Sequence, residues 1–131
     1  PADELDNFQF THIFYDSHAP RSQYMDQVDC ILKLLEPVAI LKIRANLLTR
    51  LPNIVGNPFH TDIMVLSEEK QKQFKTSIFY VNTNNGYTEF KDGTKVESVA
   101  NRMVTFPSNL KHRGTSCTDE KTRVVINFNY I

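Results

Sequence analysis

The sequence predicts a mainly β fold, an antiparallel sandwich or barrel, with one N-terminal amphipathic helix packed on the outside. Two patterns predict it: short strand candidates at regular spacing between turn signals, and a single stretch of helical period near the N-terminus. Length adds a bound, because 131 residues suffice for one domain with a real core and not for two ordinary ones. The chain is therefore expected to form one domain over 1–131, with the helix at about 21–36 and the barrel at about 38–131.

Residues 8–15 are β-branched and aromatic with partial alternation and read as the opening strand. Over 21–36 the apolar residues Tyr24, Val28, Ile31, Leu32 and Leu35 form a helical stripe, with Pro20 suited to the first turn and Pro37 ending it. From Leu41 to Leu51 alternation takes over: Leu41, Ile43, Ala45, Leu47 and Leu51 on one side, Lys42, Arg44, Asn46 and Arg50 on the other. Further strands are expected at 60–66, 76–82, 87–91, 95–99, 102–106, 111–115 and 122–131. Turns separate them at Asn84-Asn85-Gly86, Asp92-Gly93 and Pro107-Ser108-Asn109. The polar run 67–73 is a short helix or a solvated loop. In the last strand Val124, Ile126, Phe128 and Tyr130 share one face, and Arg123, Val125, Asn127 and Asn129 the other. If the apolar faces pack under the helix, Arg123, Arg44 and Asn46 turn into the barrel, and an interior lined with cations expects an anion.

Fifteen basic and fifteen acidic residues give no net charge, which leaves nucleic-acid binding without its usual basic footprint. No apolar run reaches the roughly 18 residues of a membrane span, since Lys33, Glu36, Lys42 and Arg44 interrupt the greasiest region. The acidic opening Pro1-Ala2-Asp3-Glu4-Leu5-Asp6 lacks the character of a secretory signal, so a cytoplasmic location is expected. Cys30 and Cys117 stand far apart without a CxxC and read as two unpaired thiols.

His60-Thr61-Asp62 opens a strand-like run, where residues i and i+2 point to one side and an imidazole and a carboxylate can converge on one ion. Such a tripeptide alone is better explained by a surface hydrogen-bonded pair. It is joined by His112 and, on the polar face of the last strand, by Arg123. Two imidazoles and a carboxylate suit non-haem Fe(II), because they leave open positions for oxygen chemistry. A planar guanidinium suits a carboxylate, which it grips with two parallel charge-assisted hydrogen bonds.

The ordered set His60-x-Asp62, His112, Arg123 resembles the Fe(II)- and 2-oxoglutarate-dependent oxygenase family. Ile78-Phe79-Tyr80-Val81-Asn82 followed by Gly86-Tyr87-Thr88-Glu89-Phe90 is similar to the central strands of its prolyl-hydroxylase-like branch, with Asn85 in place of the first glycine of a usual Gly-Gly pair. The resemblance covers about residues 38 to 131 and implies a double-stranded β-helix, a jelly roll of cupin-like kind. It implies that His60, Asp62 and His112 hold Fe(II) and form the catalytic centre. It implies that Arg123 binds the far carboxylate of 2-oxoglutarate, joined by Tyr80. Arg44 and Asn46, turned inward by strand alternation, are candidates for contact with that co-substrate, with the substrate or with structural partners alone. Dioxygen is the second co-substrate and ascorbate an accessory reductant. The implied reaction hydroxylates an unactivated carbon of a peptide or protein side chain, prolyl among them, or of a small molecule, and releases succinate and CO2. Residues 50–59 and 68–75 are expected to shape the mouth. Two other readings share the fold: a cupin-like metal-dependent hydrolase or isomerase, which gives Arg123 no required role, and a non-catalytic ligand-binding jelly-roll module.

Overall fold

The structure is a computed structural model that describes residues 8–131. In chain order its strands are β1 (Gln9–Asp16), β2 (Ala19–Pro20), β3 (Ile40–Thr49), β4 (Lys75–Tyr80), β5 (Tyr87–Phe90), β6 (Lys95–Glu97), β7 (Met103–Pro107), β8 (His112–Gly114) and β9 (Thr122–Tyr130). They form a six-stranded sheet, order β2-β1-β3-β9-β4-β7, and a three-stranded sheet, order β6-β5-β8. Every pairing is antiparallel. The longest ladder joins β3 to β9, from Ile40↔Tyr130 to Thr49↔Thr122. It brings the two strands with cationic faces side by side.

Alternation on those strands divides the apolar residues between two clusters. Ile43 and Phe128 face outward and, with Phe14 and Tyr130, bury Val28 and Ile31 of the helical segment. Between the sheets Ile78, Tyr80, Phe106 and Val125 form the second cluster, with Phe90, Val96 and Val104 against it. The strand faces thus follow the expected pattern, and the helix covers the outside of the larger sheet.

The helix is shorter than its apolar stripe suggests. A 3₁₀ turn, Met25–Val28, leads into α1 (Asp29–Leu35). Pro20 lies in β2 opposite Tyr15 rather than in a first turn. Arg21 N–H donates to Phe14 O, and the Ser22 hydroxyl accepts from Tyr24 N–H, so local bonds hold 21–24 outside the helix. The expected strand at 60–66 reduces to a single bridge, His60↔His112, followed by a turn. The polar run contains α2 (Glu68–Gln71), capped by Ser67 Oγ accepting from Lys70 N–H. Cys30 is exposed and Cys117 buried, and both are free.

Candidate metal centre

His112 stands on β8 in the smaller sheet, and His60 is held opposite it by a reciprocal pair of backbone bonds. His60 N–H donates to His112 O at 2.9 Å, and His112 N–H to His60 O at 3.0 Å. A bridge of this kind sends both side chains to one side, and the rings sit 4.8 Å apart between centroids. Asp62, on the turn that follows, places Oδ1 3.3 Å from Nε2 of each histidine. The convergence expected from a strand is therefore delivered by a bridge and a turn.

The protonation pattern follows from the neighbours. His60 Nδ1 lies 3.0 Å from Pro58 O, and His112 Nδ1 3.2 Å from Leu110 O. A carbonyl only accepts, so each Nδ1 carries a proton and each Nε2 is turned to Asp62, where it offers a lone pair whenever the ring is neutral. His112 is 2 % exposed, and its Nε2 has no aligned hydrogen-bond partner. Two lone pairs and a carboxylate facing one another are mutually repulsive unless a cation stands among them. For Asp62, burial works to raise the pKa, but the pull of His112 and then of His60 outweighs it and holds the carboxyl well below its usual range. A protonated His60 Nε2 would donate to Asp62, and this raises the pKa of His60 against its burial and the nearby charge of Arg44.

The three ligand atoms lie within 4.8 Å of one another, a group able to hold a metal ion. Two donors about 2.1 Å from one ion and about 90° apart stand about 3.0 Å from each other, close to the 3.3 Å between Asp62 Oδ1 and each histidine Nε2. An orphaned buried Nε2, acceptor-only chemistry and this spacing fit a divalent metal. Both rings are oriented by carbonyl bonds on the far nitrogen, as metal-ligating histidines usually are.

His60 and His112 line a cavity of about 410 Å³ between the sheets, and Arg44, Asn46, Arg123 and Asn127 line the same cavity. Arg123 is 2 % exposed. Its Nε donates to Ser98 Oγ at 3.0 Å and its Nη2 to Thr88 Oγ1 at 3.4 Å, both neutral hydroxyls. No acid pairs with it among the described residues. Burial lowers the guanidinium pKa from its ordinary value, yet an arginine stays charged. A buried cation held by two hydroxyls and the face of the Tyr80 ring, 5.9 Å from its centroid, is costly until an anion joins it.

Arg44 and Asn46 project into the cavity as strand alternation requires. Tyr80 does not line it: its hydroxyl donates to Thr88 Oγ1 at 2.7 Å and so backs the residue that meets Arg123. Asn57 and Pro58 contribute to the wall, whereas none of residues 68–75 does. Sequence reasoning passed over Thr88 and Ser98, whose roles depend on β5 and the following loop reaching Arg123 across the barrel. Asn127 sits on the polar face already read from β9, and its Nδ2 donates to Asp62 Oδ2 at 3.5 Å.

No sequence family model and no curated protein matches the chain. Solved structures similar to it include an RmlC-like cupin protein from Desulfovibrio desulfuricans, with TM-score 0.57 and 10% identity over 98% of this chain and 85% of that one. A cupin domain from Bordetella pertussis Tohama I has TM-score 0.55 and 9% identity over 94% of this chain and 93% of that one. The DMSP lyase DddQ from Ruegeria pomeroyi DSS-3 has TM-score 0.59 and 11% identity over 100% of this chain and 50% of that one. Likeness at such identity concerns architecture: the fold is a mainly β jelly roll of the cupin kind.

Proposed function

We propose that this protein is an Fe(II)- and 2-oxoglutarate-dependent dioxygenase that hydroxylates an unactivated carbon. One observation carries the reading: the His60, Asp62 and His112 group shares a cavity with Arg123, a buried guanidinium lacking an acidic partner. The metal group alone fits many reactions. Arg123 adds a demand for an anion, and a co-substrate with a carboxylate at each end satisfies it.

His60 Nε2, Asp62 and His112 Nε2 would hold the iron, which supplies the chemistry of oxygen activation when bound. Arg123 binds and orients the far carboxylate of 2-oxoglutarate, and the hydroxyls of Ser98 and Thr88 keep the guanidinium aimed. Tyr80 fixes Thr88. Ile78, Leu48 and Val125 give the cavity an apolar wall that limits water around the reacting carbon. In the balanced reaction one C–H bond, O2 and 2-oxoglutarate give C–OH, succinate and CO2.

Succinate release tests the reading. Protein given Fe(II), ascorbate, 2-oxoglutarate and oxygen is expected to form succinate, with Asp62→Ala and His112→Ala reducing it to background. Succinate formation by either variant at the wild-type rate would contradict the assignment. Metal-dependent activity that ignores 2-oxoglutarate would favour a cupin-like hydrolase or isomerase.

A further inference from the structure

Arg123 accounts for one anion, and the cavity holds a second, half-buried guanidinium, Arg44, with no acid paired to it among the described residues. Arg44 on β3 stands opposite Asn127 of β9, whereas Arg123 stands opposite Leu48, four positions or about 13 Å away along β9. Asn127 touches Asp62, so Arg44 belongs to the metal end of this wall and Arg123 to the other. Among the described residues the Arg44 side chain makes no hydrogen bond or ion pair. Beside it are two amides that are more than nine-tenths buried: Asn46 is 7% exposed and Asn127 9%, and the Oδ1 of each lacks a hydrogen-bond donor. Because Asp62 can only accept, Asn127 must turn Nδ2 to it, which commits Oδ1 to some other partner.

This corner thus asks for a negative group next to N–H donors. 2-Oxoglutarate cannot answer, since its two carboxylates and keto oxygen are all acceptors. Phosphate or sulfate would set further acceptor oxygens against the two amide oxygens. An α-amino or α-imino acid carries a carboxylate and an N–H on the same carbon.

We propose that Arg44 binds an α-carboxylate of the primary substrate while Asn46 and Asn127 accept from its nitrogen. The substrate class is a free amino or imino acid, or a C-terminal peptide residue other than proline, whose amide nitrogen would have no hydrogen to donate. This assignment rests on the dioxygenase reading for the reaction, though not for the binding. Arg44 acts as a specificity-determining residue.

The test compares pools of the twenty free L-amino acids, their N-acetyl forms and their α-amides. Each pool is incubated with the Fe(II)-loaded protein and 2-oxoglutarate, and product is read by succinate and by the mass gain of one oxygen. Calorimetric titration of the same pools into Mn(II)-loaded protein supplies a readout without turnover. Acids are expected to outperform amides at least tenfold in both measurements. Active N-acetyl forms identify a peptide C-terminus as the source, and activity restricted to the free acids identifies a free molecule. Arg44→Met is expected to raise the KM and Kd for the acid at least tenfold without an equal rise in the KM for 2-oxoglutarate. Arg44→Lys, which keeps the charge and loses the planar fork, should recover part of the affinity. Acid binding that Arg44→Met abolishes, without succinate from any pool, leaves the carboxylate site standing and removes the dioxygenase reading. Amides equal to acids, no binding by any pool, or an Arg44→Met defect confined to 2-oxoglutarate overturns the proposal.

Discussion

Asp62 and His60 form a coupled pair whose titration links stability to pH. Asp62 hydrogen bonding raises the pKa of His60, so the metal-free pair contributes stability fully below the unfolded histidine value of about 6.5. The contribution is lost as pH rises through the raised folded value. We expect the wild-type minus His60→Gln difference in Tm, measured on metal-stripped protein, to shrink as pH rises through that range. Asp62 acts in the opposite sense, because its carboxyl is held below the usual range and loses its contribution only in strong acid. Arg123 makes a different trade. In ligand-free protein it is a buried charge without an acid, so Arg123→Met should leave Tm unchanged or raise it. The same change removes a buried charge-pair partner worth about 3–5 kcal/mol, raising the 2-oxoglutarate requirement at least about 100-fold. Thermal unfolding and calorimetry on one variant check both halves, and a large loss of stability would contradict the first.

At the scale of elements, the turn before β5 is shaped by the arginine it shelters. A Cβ on Gly86 would lie 2.6 Å from Arg123 Cδ and 2.7 Å from Ser116 O, so Gly86→Ala must displace backbone or the guanidinium stem. Overpacking of this kind costs about 1–3 kcal/mol, and we expect a lower Tm together with weaker 2-oxoglutarate binding. The helix α1 closes on Glu36 in the left-handed region at φ 47°. Glycine suits that position better, and Glu36→Gly should stabilise by up to about 1 kcal/mol in denaturant titration. The legibility of these elements differs for physical reasons. Alternation placed β3 and β9 and their inward faces, because a ladder with two different faces leaves a period of two in the sequence. It failed at 60–66, where His60 makes one bridge and the chain turns at once. The start of the helix was missed because the apolar stripe begins at Tyr24, whereas the bonds of Arg21 and Ser22 keep that stretch out of helix.

Across the whole molecule the cavity is a product of long-range pairing. Its metal group comes from a loop and β8, and its cations come from β3 and β9 in the other sheet. The identities of His60, Asp62, His112 and Arg123 were legible because their chemistry and order carry information. Thr88 and Ser98 were not, since a hydroxyl that steadies a guanidinium across a barrel leaves no local pattern. Tyr80, expected at the co-substrate, instead donates its hydroxyl to Thr88 and sets its ring against the Arg123 guanidinium. A metal and a carboxylate are expected to be bound together in this one cavity. Anaerobic addition of 2-oxoglutarate to Fe(II)-loaded protein, followed by visible absorption, measures this directly. The account predicts a weak metal-to-ligand charge-transfer band that saturates in wild type and, in Arg123→Leu, needs at least about 100-fold more 2-oxoglutarate. A protein that binds Fe(II) but shows no band at any concentration, or an Arg123→Leu titration matching wild type, would contradict it.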